Sequence, residues 1–327
     1  MTTIMTSFGA LRSHRSGLCA IALAGALLAL PGAAGAAVSG CKVSNESAHT
    51  RHHSLQAAVD SAAAGDQLRV AGVCVGSTVV DRDLVIRGVR AASSGQPILD
   101  GGHAGRVLQI RRGAIVDVAD LMIRHGRAGS GFGGGILNRG RLTLNDVVVV
   151  GNRADTGGGI YSTGRLELNG STSIQHNRAT VDDGGGVAVE GGRLFMGDAS
   201  TIHDNDAARG GGGLYGVNAR MTLDGTSSVH DNQATTGGGG IYVDFSATLV
   251  LGGSSTVDHN VAEVNGGGVF DNSSLTMTGS SAIADNVAGK RGGGVYVDCS
   301  GESTGVVPGG NVHGNHPSNR AAATGCP

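Results

Sequence analysis

Seven times between residues 133 and 295 the chain places three glycines before an aliphatic residue: Gly133 to Ile136, Gly157 to Ile160, Gly184 to Val187, Gly211 to Leu214, Gly238 to Ile241, Gly266 to Val269 and Gly292 to Val295. The aliphatic positions are 24, 27, 27, 27, 28 and 26 residues apart. A fixed period of this length is the mark of a stacked repeat, in which each unit buries its apolar face only against its neighbours.

Each repeat carries three short patterns. The first is the aliphatic residue after the glycines and its alternating neighbours, as in Ile241-Tyr-Val243. The second is a pair of aliphatic residues one apart, as in Leu142-Thr-Leu144, Leu166-Glu-Leu168 and Met221-Thr-Leu223. The third is an aliphatic residue three places before an asparagine, as in Val229 to Asn232. Period-two alternation puts one side of each segment inward and the other outward. These readings predict an all-β chain, a single-stranded right-handed parallel β-helix with three short strands per coil. With strands about 4.8 Å apart, seven coils make a rod segment roughly 34 Å long.

Composition agrees with a narrow aliphatic interior. Sixty of 327 residues are glycine, tryptophan is absent, and only four tyrosines and five phenylalanines occur. The glycines lack the strict three-residue period of collagen, and recurring branched aliphatic residues separate the chain from disordered glycine tracts. The glycine triplets also lack the spacing and the lysine of a phosphate loop, and they read as tight bends that let coils stack.

The ends read differently from the middle. Arg12, His14 and Arg15 precede the apolar run from Gly17 to Leu30, and small residues follow to Ala37. That order is a secretory signal peptide over residues 1–36, cleaved after Ala36. Its removal takes the formal charge from -2 to -4, since it carries Arg12 and Arg15 and no acid. Residues 37–67 form an N-terminal cap. In it Ser54 starts a helix whose Leu55, Ala58, Val59 and Ala62 share one face over the end of the first coil. The β-helix occupies residues 68–298, with clear repeats over 133–297, and residues 299–327 form a C-terminal cap or tail.

Removal of Cys19 with the signal leaves Cys41, Cys74, Cys299 and Cys326, one couple near each end, which reads as two disulfides in an oxidising compartment. The alternative at the same place is Val38-Ser-Gly-Cys41, similar to the lipid-attachment box of bacterial lipoproteins, which would anchor the protein to the outer membrane through Cys41. The mature chain has no transmembrane segment, and its dispersed charges offer no nucleic-acid path. Localisation is therefore secreted or cell-surface-associated in a bacterium.

The glycine and asparagine elements together resemble the repeats of polymorphic outer-membrane proteins and related autotransporter passengers over roughly residues 133–297. In that family the asparagine element often begins with phenylalanine, where this chain has Val149, Ile174, Ile202, Val229, Val257 and Ile283. The stretch from Leu55 to Val70 is similar to the cap and first coil of bacterial pectin-lyase-like β-helix proteins. The first resemblance implies adhesion or surface presentation, and the second implies polysaccharide cleavage for some members. No autotransporter barrel is read in this chain.

Functional candidates follow from equivalent positions. Tyr161, Tyr215, Tyr242 and Tyr296 each follow the first inward aliphatic residue, Phe270 shares that place, and Ala188 interrupts the series. Tyr215, Tyr242, Phe270 and Tyr296 are thus candidates for an outward strip that either binds sugar rings or packs between strands. Asn152, Asn177, Asn205, Asn232, Asn260 and Asn286 are expected to turn the chain and bond amide to amide between coils. Asp204, Asp231 and Asp285 precede these asparagines, with Asp258 shifted by one. They offer polar turn surface or, less simply, a calcium site. His203 and His230 share a place, with His176 and His259 offset, and do not make a zinc set. No catalytic residue and no cofactor is assigned, and no serine is matched to a base. The least remote cleavage site would combine Asp204 and Asp231 with Arg209 or Arg220. The function so read is surface recognition, adhesion or structural presentation without catalysis. An extracellular polysaccharide or a cell-surface protein is the partner, and a pectate-lyase-like or glycoside-hydrolase enzyme using a lateral face is the alternative.

Overall fold

Alternating aliphatic residues drive the chain into strands that coil and stack. A computed structural model describes residues 40–90, 95–304 and 311–324. The signal segment expected at residues 1–36 and Cys326 lie outside the described residues. The architecture is a right-handed parallel β-solenoid with one N-terminal helix.

In chain order around a coil, the first sheet has ten strands, among them Ile160–Ser162, Val187–Glu190, Leu214–Val217 and Ile241–Val243. The second sheet has twelve, among them Arg165–Asn169, Arg193–Met196 and Arg220–Leu223. The third has ten, among them Ser173–Gln175, Thr201–His203 and Ser228–His230. Alongside the three expected sheets, the middle of the rod carries a further ladder. Two-residue strands such as Arg178–Ala179 and Asp206–Ala207, directly after each asparagine, form a fourth ladder of six. The alanine of each points inward and is buried, and a segment so short leaves no visible alternation in sequence.

Leucine, isoleucine and valine from the three main sheets form one continuous buried cluster along the solenoid. At about 25 cal/mol per Å² of apolar surface removed from water, this interior supplies the main drive for stacking. The glycine turns permit it. Gly211 has φ +61°, and a Cβ on Gly212 would lie 2.3 Å from the Gln233 carbonyl oxygen of the next coil. Both positions are closed to any side chain.

Helix α1 (Leu55–Ser61) is capped by Ser54, whose side chain accepts the Ala57 N–H at 3.2 Å, and it buries Leu55, Ala58 and Val59. Two antiparallel strands, Lys42–Asn45 and Thr50–His52, extend the second sheet beside it. Cys41 and Cys74 are joined by a disulfide. Cys299 is also disulfide-bonded. At the far end the sheets continue beyond the expected boundary: Ser274 pairs with Glu302, Ile283 with Val312 and Val295 with Arg320. Among the described residues, no helix is long and apolar enough to cross a membrane.

Candidate functional site

Strand register decides which outward side chains meet. In the first sheet Tyr161 pairs with Ala188, Ala188 with Tyr215, Tyr215 with Tyr242, Tyr242 with Phe270 and Phe270 with Tyr296. The rings of Tyr215 and Tyr242 are 5.8 Å apart, those of Tyr242 and Phe270 are stacked at 4.5 Å and 10°, and those of Phe270 and Tyr296 are 5.0 Å apart. They also lie on the glycine turns. A Cβ on Gly210 would be 2.5 Å from the Tyr242 ring, and one on Gly237 equally close to the Phe270 ring.

This arrangement differs from a flat sugar-binding platform. Each ring packs against the next, stacked between Tyr242 and Phe270 and tilted in the other two pairs, at the 4.5–7 Å separations of aromatic pairs. Tyr296 is only 7% exposed, and Tyr215, Tyr242 and Phe270 are half-buried. The strip packs along four of the ten strands of the first sheet.

Its interruption at Ala188 is different. Phe132 packs tilted against one side of Tyr161 at 4.5 Å, and the Tyr161 hydroxyl donates to Glu190, so this ring leans over Ala188, which is 1% exposed. Between Tyr161 and Tyr215 a recess of about 260 Å³ remains, walled also by Asp182, Asp183, Glu190 and Arg209. The Tyr215 hydroxyl donates to Asp244 Oδ2 at 2.8 Å, which holds its ring in place. Asp183 accepts the Gly210 N–H at 2.7 Å, and burial pushes its carboxyl above the ordinary value. Arg209 donates to Asp182 at 3.2 Å, and that bond raises the guanidinium above its ordinary value. Burial, then the hydrogen bonds to Glu190 and Asp244, raises the phenols of Tyr161 and Tyr215. Three carboxylates against one guanidinium make the walls acidic.

The acids of this recess were not among the residues singled out in sequence. A signal existed for one of them: Glu190 stands two places after Ala188, hence on the same face, as Asp244 and Asp298 stand two places after Tyr242 and Tyr296.

The asparagines face inward. Asn152, Asn177, Asn205, Asn232 and Asn260 each donate from Nδ2 to the Oδ1 of the asparagine one coil on at 3.0 Å, and Asn286 does the same to Asn315 at 2.9 Å. The left-handed backbone belongs to the residue before each of them: Gly151, His176, Asp204, Asp231, His259 and Asp285 have φ between 52° and 64°. Asparagine, aspartate and histidine are the non-glycine residues enriched in that conformation. The recurrence of aspartate and histidine there therefore follows from backbone geometry. Among the described residues no group of three or more histidine, cysteine or acidic side chains could hold a metal ion.

The rings of His203 and His230 stack at 4.9 Å and 3°, and each Nδ1 lies beside the carboxylate that follows it, Asp204 at 2.7 Å and Asp231 at 2.8 Å. Ser173 Oγ lies 2.9 Å from His203 Nε2, giving a serine, histidine and aspartate connected in series where sequence matched no base to a serine. The Ser173 N–H is spent on the Val147 carbonyl, so it is not free to receive an oxyanion, the other half of acyl-transfer chemistry. Asp204 and Asp231 leave the third sheet, Arg209 pairs with Asp182 beside the first, and Arg220 opens the second. The combination of those acids with either arginine is not assembled.

Comparison with models of protein families, with curated proteins and with solved structures finds no match to this chain.

Proposed function

We propose that this chain is an exported recognition rod that binds carbohydrate, one ring at a time, in the recess between Tyr161 and Tyr215. The observation that carries the reading is the missing ring at Ala188: from Tyr215 to Tyr296 each ring packs against the next, and on its Ala188 side Tyr215 has no ring neighbour. A coil step in the same ladder holds one ring at 4.5 Å from the next, and 260 Å³ is a little below the roughly 300–1,000 Å³ of sites for drug-sized ligands. Carboxylates around the rim suit the hydroxyls of a sugar. The resemblance of the repeats to autotransporter passengers supports presentation at a cell surface. A sulfur in a disulfide carries no thioether, so the Cys41–Cys74 bond favours a protein not anchored by lipid at Cys41.

Asp183 supports a second reading, cleavage of the bound glycan. A carboxyl raised by burial and set in a recess with another carboxylate, Glu190, is what general acid catalysis of glycoside hydrolysis requires. One experiment separates the two. The purified protein is incubated with a polysaccharide panel, and both retention and chain length are measured. Retention without shortening, lost at least tenfold in Ala188→Tyr and unchanged in Tyr296→Ser, is the expected result. Shortening that disappears in Asp183→Asn would establish the second reading. Retention indifferent to Ala188→Tyr would remove the recess from both.

A further inference from the structure

Arginines open four consecutive strands of the second sheet. Arg141, Arg165, Arg193 and Arg220 are paired directly from coil to coil and all are exposed. Like charges therefore leave the rod at intervals of about 4.8 Å, an arrangement that destabilises a sheet unless something neutralises it.

Half of the line is neutralised from within. Glu167 accepts from Arg141 at 3.4 Å and also from Arg165. The next outward line runs in register through Thr143, Glu167, Phe195 and Thr222. Where the following coils would repeat the acid they place Phe195 and then Thr222. Arg193 and Arg220 consequently form no ion pair among the described residues. Phe195 is 38% exposed. A recess of about 140 Å³ lies between it and these arginines, and a second of about 250 Å³ borders the same two arginines near Asn218 and Thr248.

We propose that Arg193, Arg220 and Phe195 form a binding site for a sugar that carries a phosphate monoester. The charge sets the group. A carboxylate carries one charge and is satisfied by the fork of a single guanidinium, whereas a phosphate monoester carries about -1.5 to -2 at neutral pH and has oxygens for both. The exposed ring beside them supplies the apolar surface on which the C–H face of a sugar rests. Spacing disfavours a nucleic acid: duplex DNA presents a charge about every 1.7 Å, and one short line of arginines does not track it. This site lies on a different sheet from the Ala188 recess and stands or falls independently of it.

Calorimetric titration of the purified protein with glucose-6-phosphate, glucuronate and glucose tests the assignment. Saturable binding of the phosphate ester is expected, weakened at least tenfold in Arg193→Gln and in Arg220→Gln, several-fold in Phe195→Ser, and less than about twofold in Arg141→Gln. Circular dichroism melts of the exposed-site variants should match the parent and so exclude misfolding. Equal affinity for glucuronate, an equal loss in Arg141→Gln, or no saturable binding to the folded parent would overturn the site.

Discussion

Two outward lines run along successive stretches of this rod, sharing the coil of Tyr215 and Arg220, with the same coil-to-coil spacing and opposite energetics. On the first sheet, Tyr215, Tyr242, Phe270 and Tyr296 pack ring against ring, stacked between Tyr242 and Phe270 and tilted in the other two pairs. On the second, Arg141, Arg165, Arg193 and Arg220 bring like charges together at the same interval, and Glu167 neutralises only the first two. Stacking coils repeats whatever side chain stands outward. Repetition satisfies rings, which attract their copies, and frustrates guanidinium groups, which do not. A self-satisfied line is structural except where it is interrupted, and an unsatisfied line looks outward for its partner. Both sites proposed above are places where the local rule breaks: a missing ring at Ala188, and a missing acid after Glu167.

The largest effect should come from the ring line. Tyr242→Ser removes a ring stacked on Phe270 and packed on the Gly210 turn. It should cost about 2–4 kcal/mol in denaturant unfolding. A loss below 1 kcal/mol would mean that the stack contributes little and that the contrast between the lines is false.

Alkaline pH probes the same line more gently. Burial is the first cause raising the phenols of Tyr161, Tyr215 and Tyr242. A group whose folded pKa lies above its unfolded value stabilises fully below the unfolded value, near 10 for tyrosine, and loses that contribution as pH rises toward the folded one. Stability should therefore fall from about pH 10 upward, with the phenolate absorbance rising together with unfolding. Ordinary titration of Tyr161, Tyr215 and Tyr242 in a still-folded protein would contradict this.

The arginine line should show the smallest change and the opposite sign. Arg193→Gln relieves repulsion and breaks no ion pair. It should leave stability unchanged or raise it by up to about 0.5 kcal/mol, with the gain shrinking in high salt. A clear destabilisation would show that Arg193 has a structural role and would narrow the difference between the two faces.

Much of the fold was legible because the interior enforces it. Inward aliphatic residues recurring in three short patterns per coil admit little besides a stacked parallel sheet, and Leu142, Leu166, Leu194 and Met221 pair as that requires. Less was legible where the signal was short or irregular. Ala154 and Ala179 form a fourth ladder from two-residue strands, and the strands at Glu302–Thr304 and Val312–His313 continue sheets across a stretch with no glycine triplet. The left-handed turn fell on Asp204 and Asp231 rather than on the asparagines that follow, since only backbone angles distinguish neighbours that are both suited to it.

The sites divide in the same way. From its sequence alone this chain determined its period, its inward residues, its glycine bends and the equivalence of Tyr215, Tyr242, Phe270 and Tyr296, because burial acts on every coil alike. Only the tertiary structure decided that those rings pack against one another, that Tyr161 leans over Ala188 to leave an acidic recess, and that Arg193 and Arg220 stand together without an acid. Coil lengths vary by several residues, so side chains far apart in sequence become neighbours only once hydrogen bonding has set the register of the strands.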